Sequence, residues 1–368
     1  MPSQSKIPQL RIEVTGRCGK ACLYCRAGGE GTTVPTEGEL SAKDFSDIVG
    51  LLANHGVRQV KLTGGDPMLR EDIVDIVHRL KGIAGIDTVD LVTRHPRAGK
   101  LALALKQAGL DLLNFSIDSL NHETWKRIVR VTEHSLEELI DAVYMAAETG
   151  IPIRLNTVVL RDINAHEIPD LIEFASKIKA ELKLLEVIRD IPAFPNTDPL
   201  VGAKQYVRLD RFAEELETKA KSIEVVTQSG GLGHPMRRLY MPNKAIITIK
   251  SIMAGAWHSS IVCLRCSNFP CDDAIMALRL TPLGELQLCL LRPDLNVNIW
   301  GMIHEGSSPK EIDRAIQRVL SIYRRAQFFS GDELERIRAA RLELRQRLLK
   351  PTPDSLLPAR VIKGIAHA

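Results

Sequence analysis

Short apolar runs alternate with amphipathic stretches along the first half of the chain. Six of these runs have the length and composition of β-strands: residues 10–15, 57–63, 88–93, 112–117, 153–159 and 182–187. Between them, apolar residues recur at helical spacing, as at Phe45, Ile48, Val49 and Leu52. Because parallel strands need crossover connections, strands that alternate with helices predict a parallel sheet. Six strands are fewer than the eight of a closed TIM barrel, so we expect an α/β fold with a partial (β/α)6 TIM-like barrel.

Two sequence signals mark helix starts within this region. Ser135 with Glu138, and Asn164 with Glu167, have the spacing of a capping box, in which each side chain accepts from the other residue's backbone N–H. We therefore expect a capped helix to begin at both places.

The pattern changes after residue 189. Residues 190–201 are rich in proline and aspartate, which favours a loop or a domain boundary. A helical stretch follows at 209–221, then β-like runs at 245–249, 277–281 and 285–290, and helical patterns return from Ser308 onward. We expect two domains, 1–220 and 221–368, the second with a helical tail.

The composition is ordinary for a folded protein. Of the 368 residues, 45% are hydrophobic and 26% are charged, which excludes a disordered chain, a collagen and a coiled-coil rod. No apolar run approaches the ~20 residues of a membrane span, and residues 1–6 lack the apolar core of a signal peptide. We expect a cytoplasmic protein with no membrane partner. The net charge of +4 suits a phosphorylated ligand and is too small to indicate nucleic acid.

Seven cysteines fall into two groups: Cys18, Cys22 and Cys25, then Cys263, Cys266, Cys271 and Cys289. An odd number at short spacing argues against a disulfide framework and for metal ligation. The three thiolates of the first group lie within eight residues, so they can ligate one [4Fe–4S] cluster and leave one iron open to an external ligand. A structural zinc or iron–sulfur site is the alternative for this group.

The first group resembles a known signature. The run Cys18-Gly-Lys-Ala-Cys22-Leu-Tyr-Cys25 is similar to the CxxxCxxC motif of the radical S-adenosylmethionine (SAM) enzymes. The resemblance implies that SAM chelates the open iron and is cleaved to a 5′-deoxyadenosyl radical, and that Tyr24 packs against the adenine. Gly64-Gly65-Asp66-Pro67, after the second strand, resembles the GGEP motif of these enzymes, whose backbone meets the amino group of SAM.

The resemblance narrows to one family and covers most of the chain. The molybdenum cofactor biosynthesis protein A (MoaA) family, the GTP 3′,8-cyclases, has similar segments at residues 10–18, 61–70, 108–110, 114–120 and 156–159. That family carries a second [4Fe–4S] cluster in a C-terminal domain, where an open iron holds the guanine. Cys263, Cys266 and Cys289 look like its ligands, which implies a smaller C-terminal iron–sulfur domain of the SPASM/twitch type.

The same resemblance implies roles for single residues. Thr93 and Ser116 would lie near SAM. The family's triphosphate- and substrate-binding cations correspond to Arg11, Lys61, Arg154, Lys183 and Arg279. A ring of such side chains in a barrel mouth suits phosphate. A solvated surface charge is the alternative for each of them.

The sequence departs from the family at four places. Arg94-His95 stands where the family has Asn-Gly, and Ala277 where it has the earlier of two arginines. Residues 267–275 are an insertion that adds Cys271. The Gly-Gly tail of the cyclases has no counterpart at residues 365–368. These departures bear on the identity of the substrate and leave the radical SAM signature intact.

Cys271 leaves three arrangements open at the second site. If all four late cysteines bind one cluster, no iron is open, and the cluster is structural or conducts electrons. If Cys271 is not a ligand, the open iron of the family is retained. A zinc ion held by four thiolates would use the same donor set.

These observations predict a MoaA-like radical SAM enzyme that abstracts hydrogen from a phosphorylated small molecule of the nucleotide class, with GTP 3′,8-cyclisation for molybdopterin as one reaction. A paralogue that acts on a nucleoside or a peptide in natural-product biosynthesis is the first alternative. A non-catalytic iron–sulfur or zinc protein is the second. We expect an electron donor such as a flavodoxin or ferredoxin as a partner, a homodimer as one assembly, and no nucleic-acid partner.

Overall fold

The computed structural model describes residues 6–25, 38–130, 133–189 and 204–349. The strands are β1 (Gln9–Glu13), β2 (Gln59–Thr63), β3 (Thr88–Thr93), β4 (Leu112–Ser116), β5 (Ile153–Val159), β6 (Glu181–Glu186), β7 (Ser222–Val226), β8 (Met236–Tyr240), β9 (Ile246–Lys250), β10 (Ala256–Ser259), β11 (Ala277–Leu280), β12 (Glu285–Gln287), β13 (Val297–Asn298) and β14 (Ala326–Phe329). The α-helices are α1 (Ala42–Asn54), α2 (Ile73–Lys81), α3 (Arg97–Gln107), α4 (His122–Val129), α5 (Leu136–Glu148), α6 (Ile168–Lys177), α7 (Leu209–Glu217), α8 (Ile299–His304), α9 (Pro309–Arg324) and α10 (Gly331–Leu349). None of these helices combines the length and the apolar character that crossing a bilayer requires.

The first six strands are parallel neighbours in chain order, with helices between them. β11 adds to β1 and β9 adds to β6, both in parallel. Within the described residues, the sheet has the order β13-β12-β11-β1-β2-β3-β4-β5-β6-β9-β8-β7, and β10 pairs separately with β14. The partial (β/α)6 barrel that the sequence predicts is confirmed, and strands from the C-terminal part extend it at both edges.

Side chains alternate between two faces along the barrel strands. Leu10 and Ile12 of β1 and Leu62 of β2 are fully buried in the layer between the sheet and the helices. Arg11 and Lys61 lie between such positions and are cross-strand neighbours on the opposite face. Because a strand turns alternate residues to opposite faces, the apolar layer lies outside the barrel and charged side chains lie inside it.

The connection between β7 and β8 covers the amino-terminal end of the barrel interior. Ser229 Oγ donates to Ile7 O at 2.9 Å. Gly230 has a φ of +65°, and a Cβ at this position would lie 2.7 Å from Ile7 N. The connection therefore packs closely against the chain that enters β1, and it needs glycine to do so.

One of the two expected helix caps is confirmed and the other is wrong. Ser135 and Glu138 form both hydrogen bonds of a capping box at the start of α5. Asn164 forms no cap hydrogen bond before Glu167. Its buried side chain bonds three backbone groups elsewhere, at Leu160 N, Asp118 O and Val158 O. Hydrogen bonds to the carboxyl ends of β4 and β5 have therefore taken the side chain that the helix cap would have used.

One sheet passes through both predicted domains, because β9 and β11 belong to residues 221–368 and pair with β6 and β1. The division at residue 220 stays a prediction. The predicted boundary at 190–201 and the departure at 365–368 lie outside the described residues.

Candidate active site

The first cysteine group lies on the loop that follows β1, at the carboxyl end of the parallel strands. Two neighbouring segments fix this loop through backbone hydrogen bonds. Gly65 N, after β2, donates to Thr15 O at 2.8 Å, and Leu23 N donates to Ile128 O of α4 at 2.9 Å. Contacts with the rest of the barrel thus set the path of the loop.

The two glycines after β2 are required by close backbone approach. Gly64 has a φ of +134°, and a Cβ there would lie 2.4 Å from Thr15 O. A Cβ on Gly65 would lie 1.8 Å from Arg17 O. No side chain fits between this turn and the cysteine loop, so the Gly-Gly pair is a condition for the observed path of the loop.

Asp66 joins the ends of two strands to the cysteine loop. Its carboxylate accepts from Thr93 Oγ1 at 2.5 Å and from Arg94 N at 3.0 Å, and its own N–H donates to Arg17 O at 2.7 Å. Asp66 and Thr93, which the resemblance assigns to the surroundings of SAM, are therefore direct partners. Ser116, also assigned there, is the last residue of the neighbouring β4 and is partly buried.

A buried ion pair adjoins the same loop. Arg94 Nη2 lies 3.2 Å from Asp118 Oδ2, and these side chains are 10% and 1% exposed. Tyr24 Oη donates to Asp118 Oδ2 at 2.6 Å and accepts from Arg94 Nη2 at 2.6 Å. Sequence reasoning recorded Arg94 as a departure and missed Asp118. No local sequence pattern could have predicted that Arg94 pairs with Asp118, because the two residues follow different strands.

Burial raises the pKa of the Cys18 thiol to about 11, and the Asp66 carboxylate adds to the increase. Burial also raises the pKa of Cys22, whereas the charge of Arg94 opposes the increase. A bound iron cluster supplies the positive charge that holds such thiols as thiolates. Three thiols on one loop, with Arg94 and Lys20 as nearby cations, fit a [4Fe–4S] cluster that keeps one iron open.

The second cysteine group comes from three segments around β11. Cys263 and Cys266 follow β10, Cys271 precedes β11, and Cys289 follows β12. Burial raises the pKa of Cys263 to about 12, and Cys289 and Cys266 add to the increase. Burial likewise raises the pKa of Cys271, and Cys289 and Cys263 contribute to it. Burial therefore disfavours the thiolate form of both Cys263 and Cys271 in the absence of a bound metal.

Backbone N–H groups point at two of these sulfurs. Ser259 N donates to Cys263 Sγ at 3.2 Å, and Leu291 N donates to Cys289 Sγ at 3.4 Å. Hydrogen bonds to ligand sulfurs help a protein to stabilise an iron–sulfur cluster. Among the described residues, no three His, Cys, Asp or Glu side chains are grouped around the position of a single metal ion. The thiols and their N–H donors fit an iron–sulfur cluster by their chemistry.

Helix α10 holds the loop that carries Cys271. The Asp272 carboxylate accepts from Arg189 Nε at 3.0 Å and from Arg338 Nη2 at 2.5 Å. Arg338 also donates to Pro270 O at 3.1 Å. The charged face of α10 thus packs on the second cysteine group.

A cavity of about 180 Å³ lies inside the barrel. Its charged lining consists of five basic and two acidic side chains: Arg11, Lys61, Arg154, Lys183, Arg238, Asp90 and Glu181. Four of the five cations expected to bind substrate are thus brought together. The excess of basic groups in a recessed space favours an anionic ligand.

The basic side chains of this cavity differ in how far nearby carboxylates neutralise their charge. Arg154 forms an ion pair with Glu181 at 2.8 Å. Burial, followed by the charges of Lys61 and Arg154, lowers the pKa of Lys183 well below its usual range. Burial raises the pKa of Asp90, although the surrounding cations oppose the increase. An incoming anion would relieve the repulsion around Lys183, which makes this lysine the strongest candidate for an anion contact.

Sequence reasoning missed three charged residues of this cavity. The alternation of apolar and polar residues along β3 places Asp90 on the inner face of the barrel, because its neighbours Val89 and Leu91 are fully buried on the opposite face. This signal could have predicted that Asp90 lines the cavity. The same signal applies to Glu181. Arg238 lies on β8, a strand that the sequence pattern did not predict.

Arg279 is the expected substrate cation that does not line the cavity. It lies opposite Arg11 in the register of β1 and β11 and is 3% exposed. Its guanidinium lies 3.8 Å from Asp273 Oδ1. Burial raises the pKa of Cys289, and Arg279 opposes the increase. Arg279 therefore lies between the barrel interior and the second cysteine group.

Comparisons with known proteins give the family and the fold to which this chain is similar. The sequence profile of the Radical SAM superfamily matches residues 12–175. A "Probable GTP 3',8-cyclase" of Pyrococcus abyssi is 30% identical over 318 residues, which cover 86% of this chain and 96% of that protein. A protein of the same description from Methanosarcina mazei is 31% identical over 335 residues, 89% of each chain. The crystal structure of Streptococcus suis SuiB bound to S-adenosylmethionine aligns with a TM-score of 0.57 at 15% identity, over 81% of this chain and 64% of that one, a likeness of fold.

Proposed function

Because this chain belongs to the GTP 3′,8-cyclase (MoaA-like) family of the radical SAM superfamily, we propose that it abstracts a hydrogen atom from a phosphorylated nucleotide, with GTP 3′,8-cyclisation as the leading reaction. The protein is an enzyme, and its cofactors are a SAM-binding [4Fe–4S] cluster, SAM and a second [4Fe–4S] cluster. The alternative of a non-catalytic iron–sulfur or zinc protein is therefore set aside.

Cys18, Cys22 and Cys25 would hold the first cluster, and three protein ligands would leave one of its irons available to SAM. Once bound, the cluster and SAM together supply a 5′-deoxyadenosyl radical. The chain itself supplies placement. The turn at Gly64 and Gly65 keeps the backbone after β2 against the cysteine loop, where the motif meets SAM in related enzymes.

The observation that carries the substrate class is the basic lining of the barrel cavity. Lys183 lies among Lys61, Arg154 and Arg11, and all four belong to the parallel strands of the barrel, at whose carboxyl end the cysteine loop lies. A phosphate group would accept charge-assisted hydrogen bonds from several of them. These bonds gain strength where water is excluded, and the same exclusion protects a carbon radical from side reactions.

Two carboxylates in the cavity support a second candidate, a family member whose substrate is less anionic than GTP. Glu181 already pairs with Arg154, and Asp90 lies near Lys61 and Lys183. Each carboxylate removes one positive charge from the lining and repels phosphate. A nucleoside or a peptide, as in the first alternative, would tolerate these groups better than a triphosphate would.

A test of both candidates measures SAM cleavage under anaerobic conditions. The protein is reconstituted with iron and sulfide, supplied with SAM and dithionite, and 5′-deoxyadenosine is quantified with GTP, GDP, GMP, guanosine or a peptide mixture. GTP cyclisation predicts a stimulation that falls as phosphates are removed, together with a cyclised nucleotide. Stimulation by guanosine or by a peptide mixture, without a response to GTP, favours the second candidate.

Two variants sharpen the assay. Cys18→Ala should abolish 5′-deoxyadenosine formation while the iron of the second cluster remains. Lys183→Ala should raise KM for a phosphorylated substrate about tenfold or more, because a charge-assisted hydrogen bond is lost. Lys177→Ala, at an exposed lysine of α6, is the matched control and should leave KM unchanged. Protein that holds both clusters and cleaves no SAM would overturn the proposal.

A further inference from the structure

We infer that His95 and His134 are positioning residues for the loop of the first cysteine group: a hydrogen bond between their neutral imidazoles holds the segment before α5 to the end of β3, beside that loop. His95 follows β3, and His134 precedes α5. The inference rests on the proposed function only for the role of the cysteine loop as the site of the first cluster. The contacts that carry it involve protein atoms alone.

The two imidazole rings face each other through one nitrogen each. His95 Nε2 lies 3.1 Å from His134 Nε2, and the ring centroids are 4.4 Å apart in an edge-on arrangement. A hydrogen bond between two imidazole nitrogens needs one nitrogen that donates and one that accepts. The contact is therefore favourable only while one of the two facing nitrogens carries a proton and the other does not.

Neighbouring groups determine which of these nitrogens carries the proton. Arg97 N donates to His95 Nδ1 at 3.0 Å, so this Nδ1 accepts and the proton of the neutral ring lies on Nε2. On the other ring, the Glu138 carboxylate lies 3.7 Å from His134 Nδ1 and favours a proton on that nitrogen. His134 Nε2 is then the acceptor for the N–H of His95.

A second proton is incompatible with this arrangement. Protonation of His134 places two N–H groups against each other, and protonation of His95 places its Nδ1–H against the N–H of Arg97. Burial lowers the pKa of His95; the Asp66 carboxylate opposes the decrease, and the charges of His134, Lys20 and Arg97 add to it. Because the separated rings bind protons more readily than the pair does, the contact weakens as the pH falls below about 6.5, the value of an unperturbed histidine.

The segment before α5 contacts the cysteine loop. Ala21 N of that loop donates to Val129 O, at the end of α4, at 3.1 Å. A Cβ on Gly19 would lie 3.5 Å from the carboxylate of Glu133, the residue before His134. The bond between the two histidines therefore connects the end of β3 to a segment that lies directly against the loop of the first cluster.

The chain leaves α4 in a conformation that needs support from its surroundings. Arg130 has a φ of +63° and a ψ of −60°, outside the regions that residues with a side chain favour. Such a backbone persists only where tertiary contacts hold it. His134 provides a contact of this kind on the α5 side of the connection.

Hydrogen exchange in the full chain tests the inference without cluster or substrate. The amide of Ala21 is a direct reporter, because it bonds to the end of α4. Exchange is measured by mass spectrometry in peptides that cover residues 18–25 and is corrected for the intrinsic effect of pH. The protection of these peptides should fall about tenfold or more between about pH 8 and about pH 5.5.

Two variants separate the titration of the pair from a merely structural role. His134→Gln keeps an acceptor for the N–H of His95 and does not titrate, so protection should persist at both pH values. His95→Gly removes the pair, so protection should be low at both. His122→Ala is the matched control, because His122 also joins α4 to α5, through an exposed contact of 3.3 Å with Glu137, and it should follow the parent.

Iron release extends the test to the loop that carries the cluster. In reconstituted protein, a chelator should remove iron several-fold faster from the parent than from His134→Gln at about pH 5.5, and at equal rates at about pH 8. The comparison at one pH cancels the general effect of acid on iron–sulfur clusters, because both proteins experience it.

Two results would overturn the inference. One is protection in the parent that does not depend on pH. The other is a loss of protection at low pH that persists in His134→Gln, since other groups would then be responsible. If circular dichroism shows that His134→Gln does not fold, His95→Gly decides the question, and protection equal to that of the parent would overturn the inference. None of these results bears on SAM cleavage, so failure of this inference and failure of the proposed function are distinguishable.

Discussion

The ion pair of Arg94 and Asp118 connects the carboxyl ends of three neighbouring strands. It follows β3 and pairs with Asp118, which follows β4, and Asp118 Oδ1 also accepts from Val158 N of β5 at 2.9 Å. Tyr24 of the cysteine loop bonds both side chains. Arg94 is one of the two residues that stand in place of the family's Asn-Gly, and its charge is paired with the buried carboxylate of Asp118.

Removing Arg94 should leave a buried carboxylate without its cation. We expect Arg94→Leu to lower the free energy of unfolding by about 3–5 kcal/mol. Adding Asp118→Asn should recover part of this loss, because the amide carries no charge and its oxygen can still accept from Val158 N. Urea unfolding of both single variants and the double variant measures the coupling.

Arg79→Leu provides the control for this cycle. Arg79 and Asp75 form an exposed pair at 2.7 Å on α2, with side chains 44% and 46% exposed. Its loss should change the unfolding midpoint little, because water screens such pairs. Strictly additive effects of Arg94→Leu and Asp118→Asn would show that the buried pair has no coupling energy.

At the scale of elements, the alternation of apolar and polar residues predicted most of the buried strands and did not predict the exposed strand β7. β3 and β5 have the bounds that the sequence predicts, because apolar residues alternate along them and clear breaks flank them. β7 was missed because its residues are mostly exposed. The pattern also missed β10 and β14, which pair with each other outside the main sheet. Short or exposed strands depend on their partners rather than on their own pattern.

The residues of the candidate site also fall into two groups, those that local sequence motifs reveal and those that only the fold brings together. The cysteine loop and the Gly64-Gly65 turn carry local motifs, so the sequence could locate them. The pairing of Arg94 with Asp118 and the approach of Arg238 to Glu181 join distant parts of the chain, with no local signal. Residues that act through tertiary partners become visible only when the fold is known.

Asn164 and Ser135 allow two kinds of side-chain hydrogen bond to be compared. Asn164 connects the carboxyl ends of two strands, and Ser135 caps a helix. Asn164 Oδ1 accepts from Leu160 N at 2.7 Å, and its Nδ2 donates to Asp118 O and Val158 O at 2.7 and 2.9 Å. Asn164→Ala should cost roughly 3 kcal/mol of unfolding free energy, about 1 kcal/mol for each hydrogen bond. Ser135→Ala removes one cap of α5 and should cost about 1 kcal/mol.

Denaturant unfolding of both variants, with the slope checked for a two-state transition, decides this comparison. Equal costs would mean that the three bonds of Asn164 are replaced by water, and that this side chain does not join the ends of β4 and β5 as described.

At the scale of the whole molecule, the C-terminal part completes the barrel. β11 covers the free edge of β1 and β9 covers that of β6, so both edges of the six-stranded array are paired by residues beyond 220. The connection of β7 and β8 also closes the amino-terminal end over the cavity, with Gln228 in its lining. The sequence could not reveal this, because the pairing of β1 with β11 links residues far apart in the chain.

This closure predicts the behaviour of the isolated first segment. A fragment of residues 1–220 would lose the partners of β1 and β6, expose two sheet edges, and open the basic cavity to water. Unpaired edges promote association. We expect the fragment to bind a hydrophobic dye and to unfold without a cooperative transition, whereas the full chain unfolds cooperatively under the same conditions. A cooperative transition and a monomeric fragment would instead show that the barrel folds alone, and that the predicted boundary at residue 220 separates two independent units.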